Sequence, residues 1–308
     1  YQLGILKHLL GDLENHYDLL CGISVGSLNA AWLAMYQRGN EKECINGLEE
    51  LWLSLKTSDI YVDWIKLPKP FSYINYIISL FKSSLYNSKP LAELVEKHYN
   101  QDLIIESGKK LKVGAVSLNS GKYQLFDQDH PEIVKAILAS SAFPMAFCPI
   151  EIGGEYWLDG GIKEITPLKA AIDNGATEID VIMTSPKRTD VVKYDSAPKL
   201  LTLGPRVIDV MSEEVLNNDI DRFVEINEII KGGCEVPGKK YIPINIYRPT
   251  EKLIDNTLSF EQEAIRPMIK IGYEQSVEVT NKRVNTPPPE GGGFLIIQRV
   301  CPHSPEAE

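Results

Sequence analysis

Residues Gly22-Ile23-Ser24-Val25-Gly26 set one serine between two glycines, each two positions away. The run before it, YDLLCGI, is apolar and suited to a strand, and residues 27–36 carry helical spacing. A serine on a sharp strand-to-helix turn is held in a strained backbone geometry. Its neighbours must then be small, and its hydroxyl projects clear of the sheet. The helix start beside it offers unpaired N–H groups and the positive end of a dipole, both suited to a developing oxyanion. The Val25 N–H is the donor such a turn supplies from its own backbone. That chemistry is nucleophilic attack on a carbonyl. The same five residues would also serve as a plain glycine-rich connection between strand and helix.

A second group is Tyr156-Trp157-Leu158-Asp159-Gly160-Gly161, an aromatic strand ending in a carboxylate and two glycines. Glycines there let the chain turn sharply and let another segment come close. A carboxylate so placed can take a proton from a nucleophile, and it can equally sit in an ordinary Asp-Gly turn. As a base it starts at a disadvantage. An unperturbed Asp titrates near 3.9, about three units below neutrality, which is worth roughly 4 kcal/mol. Desolvation under a lid or a lipid chain would raise that value and narrow the gap.

Other chemistries find less support. His8, His16, His98, His130 and His303 are scattered, and none lies in a recognisable catalytic setting. Cys21, Cys44, Cys148, Cys234 and Cys301 form no CxxC pair and offer no zinc spacing. No metal ligand and no cofactor are expected. An odd, sparse cysteine set also fits a reducing compartment better than a disulfide framework. The charge balance is 32 − 42 = −10 over 308 residues, which argues against nonspecific nucleic-acid binding. No stretch reaches the ~18 consecutive apolar residues of a membrane-spanning helix. The expected location is therefore cytoplasmic or membrane-peripheral. The start YQLGILKHLL has no basic n-region and reads as a helix already under way, so secretion cannot be judged from it.

The elements that must position Ser24 and Asp159 alternate in the α/β manner. Helical patterns cover residues 43–55, 91–100, 131–139, 212–230 and 260–282. Strand patterns cover 111–118, 123–126, 179–184 and 240–246. The pair 111–118 and 123–126 turns at Asn119-Ser120-Gly121, and Pro243 favours a sheet edge for the last strand. Residues 1–285 are read as one domain. Pro287-Pro288-Pro289-Glu290-Gly291-Gly292-Gly293 has linker chemistry, so 286–308 is read as a disordered tail.

Taken together, these segments resemble the bacterial-type patatin-like phospholipase family over residues 1 to about 176. Tyr1-Gln2-Leu3-Gly4-Ile5-Leu6 is similar to the helix that follows the family's glycine-rich oxyanion loop. Residues 22–30 are similar to its GxSxG elbow and helix. Ala139-Ser140-Ser141-Ala142-Phe143-Pro144 resembles its small-residue segment, and Asp159-Gly160-Gly161, with Pro167 and Leu168, its DGG motif. All four stand in the family's order. The resemblance implies a three-layer α/β/α sandwich with a mainly parallel sheet. It implies Ser24 as nucleophile and Asp159 as general base, a dyad without histidine. Gly22, Val25, Gly26, Gly160 and Gly161 would support the elbow and oxyanion site. The implied activity is cleavage of lipid acyl esters, of phospholipase A or lysophospholipase type. Two departures stand out. The family's glycine run and the strand leading into it would precede Tyr1, so the sheet is expected to lack its first strand and oxyanion loop, with low activity as the result. Ile165 also stands where members often carry Asn, two residues before Pro167.

Residues 60–89 differ from the rest of the chain. Lys66, Lys69, Lys82 and Lys89 against Asp63 give 4 − 1 = +3, and Trp64, Phe71, Tyr73 and Phe81 are among the interleaved aromatics. Such a segment lies in a membrane interface with its rings at headgroup level, or packs as a cap on the protein's own core. A lid that opens on lipid would do both. Two rival functions stay open: a triad esterase or thioesterase acting on soluble esters, and a catalytically silent lipid-binding member of the fold.

Overall fold

The computed structural model describes residues 1–65, 74–79, 81–163, 167–187, 200–254, 258–281 and 293–297. It begins with helix α1 (Gln2–Leu6), which runs on as a π-helical turn over Lys7–Asp12. Strand β1 (Tyr17–Ile23) is buried at every position except Asp18, so its apolar run reads as a central strand covered on both faces. Helix α2 (Val25–Ala34) follows without a loop, and α3 (Glu41–Ser54) returns alongside it. A short α4 (Ile74–Ser79) precedes α5 (Lys89–His98), which starts with Pro90 in its first turn, where the missing N–H costs nothing. Helix α6 (Gln101–Glu106) is capped by Asn100, whose Oδ1 accepts from the Asp102 N–H at 2.8 Å.

Strands β2 (Lys110–Ser117) and β3 (Tyr123–Asp127) form the antiparallel pair that their turn residues predict. Helix α7 (Ile133–Ser140) buries Ile133 and every residue from Ala136 to Ser140, so its last turn is enclosed on all sides. Strands β4 (Ile150–Ile152) and β5 (Glu155–Asp159) then lead into a 3₁₀ turn over Gly160–Ile162. Beyond it lie α8 (Leu168–Asp173), β6 (Ile179–Ile182), α9 (Leu200–Lys231), β7 (Ile244–Tyr247), α10 (Gln262–Asn281) and β8 (Gly293–Ile297).

All eight strands join one sheet in the order β4-β5-β2-β1-β8-β6-β7, with β3 also on β2. The expectation of a mainly parallel sheet needs refinement. Strands β2, β1, β8, β6 and β7 pair in parallel, whereas β3, β4 and β5 are attached antiparallel. β7 is an edge strand, as Pro243 suggests. The larger surprise is β8. Gly293–Ile297 falls within the stretch read as tail, yet it pairs with β1 on one side and β6 on the other. Gly293 opens that strand, so the linker reading of the glycine run does not hold at its last residue.

The core lies in two clusters, and alternation along β1 divides between them. Leu20 belongs to the cluster that holds Leu6, Leu9, Leu33, Leu48 and Ile137, while Leu19 and Cys21 belong to the one that holds Ala171, Val181 and Ile220. One buried polar chain ties the strands. The Tyr17 hydroxyl donates to Asp180 Oδ2 at 2.5 Å, and the Asn245 amide donates to Asp180 Oδ1 at 2.7 Å. It spans β1, β6 and β7 across the place that β8 fills. Burial, followed by the Asp180 charge, pushes the Tyr17 phenol well above its ordinary range, so this hydroxyl stays a donor.

Candidate active site

Ser24 leaves β1 with φ 59° and ψ −137°, a left-handed conformation that non-glycine residues rarely hold. Strain of this kind costs about 1–3 kcal/mol and persists only where the surroundings over-determine it. The packing explains why position 22 is glycine. A Cβ there would sit 2.5 Å from Gly26 O and from Ser27 Cα, so the strand and the first turn of α2 touch backbone to backbone. Ser24 is the N-cap of α2 by position, but its side chain makes no capping bond, which leaves the hydroxyl for other work. Val25 is the first residue of that helix, and its N–H has no intrahelical acceptor.

Asp159 is the last residue of β5 and is fully buried. Its Oδ1 accepts the Gly161 N–H at 2.8 Å, which fixes the carboxylate over the 3₁₀ turn. A Cβ on Gly160 would lie 2.5 Å from Gly114 O, so this turn, too, rests directly on the neighbouring strand's backbone. The registers place Ser24 and Asp159 relative to one another. Ile23 pairs with Gly114 and Asp159 pairs with Ala115, so both residues leave the sheet at the same level, on either side of β2. Two strand spacings separate their backbones, about 10 Å, with the small Ala115 between them.

A third segment holds the two together. The Ser24 N–H donates to Ser140 Oγ at 3.0 Å, the Ser141 hydroxyl lies 3.2 Å from Ser24 O, and the Asp159 N–H donates to Ala142 O at 3.1 Å. Three consecutive residues at the end of α7 thus touch both candidates. The sequence marks 139–144 only as a run of small residues; which backbone groups those hydroxyls meet depends on tertiary contact.

The basic, aromatic segment is tied to this site indirectly. Leu85 and Tyr86 donate their N–H groups to Met145 O and Ala146 O, just beyond the 140–142 segment. Trp64 is half-buried and donates its Nε1–H to Ser84 O at 3.0 Å, while Lys82 Nζ lies 5.1 Å from the Trp64 ring. Phe81 is 85% exposed and Ile77 52%. Lys66, Lys69, Phe71 and Tyr73, and also Ile165, lie outside the described residues.

The described histidines are engaged elsewhere. His8 bonds Asp12 and Thr280, His16 bonds Glu41, His98 packs near Trp32, and His130 Nδ1 accepts the Glu132 N–H. Among the described residues no group of three or more His, Cys, Asp or Glu side chains is placed to hold a metal ion. No described helix is long and apolar enough to cross a membrane.

The uncharacterized protein YjjU of Escherichia coli K12 is 24% identical over 283 residues, covering 88% of this chain and 71% of that protein. The family model described as patatin-like phospholipase matches residues 1–172, more than half of the chain and the whole of the elbow and Asp159 region. The protein belongs to the patatin-like phospholipase family.

Proposed function

We propose that the protein is a serine acyl hydrolase that cleaves fatty-acyl esters of lipids, of phospholipase A or lysophospholipase type, through Ser24 and Asp159. The observation that carries this reading is the strained serine at a strand-to-helix elbow, level with a buried aspartate across the intervening strand β2. Family membership supports a lipid acyl hydrolase in general. We place the residues on a three-layer α/β/α frame, with the two apolar clusters on opposite faces of the sheet.

In this mechanism the Ser24 Oγ attacks the ester carbonyl while Asp159 takes its proton. The carbonyl oxygen gains negative charge and is met by the Val25 N–H at the positive end of α2. Asp159 returns the proton to the departing alcohol, which leaves an acyl-Ser24 ester. Water attacks that ester with Asp159 again as base, and the fatty acid departs. The engagement of His8, His16, His98 and His130 with other partners favours this dyad over a histidine triad. Exposed Phe81 and Ile77 beside Lys82 support contact with a lipid surface, where apolar side chains enter the interface and lysines face the headgroups.

The deciding experiment is labelling with a serine-directed fluorophosphonate together with release of fatty acid from phospholipid and lysophospholipid vesicles. Labelling that Ser24→Ala removes is expected, with ester cleavage lost in Asp159→Asn. Equal labelling of Ser24→Ala would defeat the reading. Activity that survives Asp159→Asn but not a histidine substitution would favour the triad.

A further inference from the structure

The peptides on both sides of Ser24 are held by serine hydroxyls that the reaction itself does not use. On the amino side the Ser24 N–H donates to Ser140 Oγ at 3.0 Å. On the carboxyl side Ser24 O accepts from the Ser27 hydroxyl at 2.6 Å and from the Ser27 N–H at 2.9 Å. The Ser141 hydroxyl approaches the same oxygen at 3.2 Å and shares its one proton with Ile137 O at 3.1 Å. Ser27 and Ser140 have no exposed surface, and Ser141 has 8%. Buried hydroxyls in such a cluster act in low dielectric, where a fixed bond holds its geometry firmly.

A trans peptide is planar, and its C=O and N–H point in opposite directions. Pinning Ser24 O therefore also aims the N–H of the same peptide, which is the Val25 N–H. The adjoining Ala142 carries the Asp159 N–H on its carbonyl, so the segment that grips the elbow also sets the height of the carboxylate. We infer that Ser27, Ser140 and Ser141 are positioning residues: their hydroxyls orient the peptide planes around Ser24, aiming the Val25 N–H at the oxyanion and holding Ser24 in register with Asp159. This inference rests on Ser24 being the nucleophile.

An oxyanion donor acts on charge that exists only in the transition state, so misaiming it lowers kcat and leaves KM nearly unchanged. A merely structural loss would lower the folded fraction and the melting temperature, without that split. The test uses the full chain with Ser27→Ala, Ser140→Ala and Ser141→Ala, read by fluorophosphonate labelling rate, kcat and KM on a lysophospholipid, and thermal melting. Ser140→Ala and Ser27→Ala are expected to slow labelling and kcat at least tenfold with KM within twofold. Ser141→Ala, whose hydroxyl lies farther from Ser24 O than that of Ser27, is expected to cost less, and Ser140→Thr, which keeps the acceptor, to recover most of the rate. If Ser140→Ala or Ser27→Ala fails to fold, Ser141→Ala decides, through a slower labelling rate at unchanged melting temperature. Wild-type labelling at Ser24 with unaltered rates in all three alanine variants overturns this inference and leaves the proposed function standing. Absence of labelling in the wild type overturns both.

Discussion

Around Ser24 the chain hides polar groups, and around Phe81 it displays apolar ones. Ser24, Ser27, Ser140, Ser141 and Asp159 are all buried, and their backbone and hydroxyl groups interlock at hydrogen-bond distance. By contrast, Phe81 is 85% exposed, Ile77 52% and Ile65 45%. A phenylalanine left in water forgoes about 1.5–3 kcal/mol of burial. The two regions meet through Leu85 and Tyr86 on Met145 and Ala146, only a few residues from the serines that hold the elbow. Under the proposed function the contrast would separate two tasks. Bond chemistry needs a backbone that cannot shift, which short-range polar contacts around Ser24 would supply. Approach to lipid needs surface that improves on leaving water, which exposed side chains such as Phe81 would offer.

The sharpest way to break this division is at the serine. Ser24→Ala should reduce ester cleavage by about 10⁴-fold, and Asp159→Asn by a comparable factor, with vesicle binding intact. Loss of vesicle binding in either variant would mean that the two regions are not separable. Gly22→Ala comes next. Its methyl would meet Gly26 O and Ser27 Cα at 2.5 Å, so a stability loss of about 1–3 kcal/mol in urea unfolding is expected, along with loss of labelling. An unchanged unfolding midpoint would show that the strand-to-helix contact is looser than the geometry states. Phe81→Asp should weaken sedimentation with vesicles about tenfold while cleavage of a soluble short-chain ester is unaffected. Lys82→Ala should cost less, about 1 kcal/mol or fivefold on anionic vesicles, and the difference should vanish in high salt.

The smallest expected effect lies at the junction. Burial opposes ionisation of the half-buried Cys148 thiol, but hydrogen bonding, first from Ser84 and then from Ser83 and Ser88, holds it below the usual thiol range. Burial pushes the Cys44 thiol up to about 12. Iodoacetamide at mildly alkaline pH should therefore modify Cys148 and spare Cys44 in the folded protein, and mass mapping reads the sites. Modification of Cys44 first would contradict its burial in α3.

The strand-to-helix turn at Ser24 was legible because its signals are local. The apolar run to Ile23, the small residues around Ser24 and the helix that follows all speak within twenty positions, and β1 has the bounds its pattern predicts. Asp159 was legible for the same reason, as a strand end followed by two glycines. The partners of the hydroxyls on Ser27, Ser140 and Ser141 were not, since a serine's sequence neighbours say nothing of the carbonyl it meets across the fold. The helical pattern marks only 212–230, whereas α9 starts at Leu200 and runs through Gly204 and Pro205, residues that ordinarily disfavour a helix interior. The strand Gly293–Ile297 was hidden by its surroundings. Prolines and glycines next to it are linker chemistry, and the strands it pairs with lie far away in the sequence.

That distance sets a clock. Some 270 residues separate Ile23 from Gly293, so a ribosome adding roughly 5–20 residues per second finishes β1 about 14–54 s before it makes β8. Through that interval one edge of β1 waits without the partner it has in the finished sheet, and an open strand edge invites pairing with other chains. Closing so long a loop is also slow. The central sheet is therefore completed only by a segment made long after β1, and the strand that leads into the elbow gains its second parallel neighbour that much later.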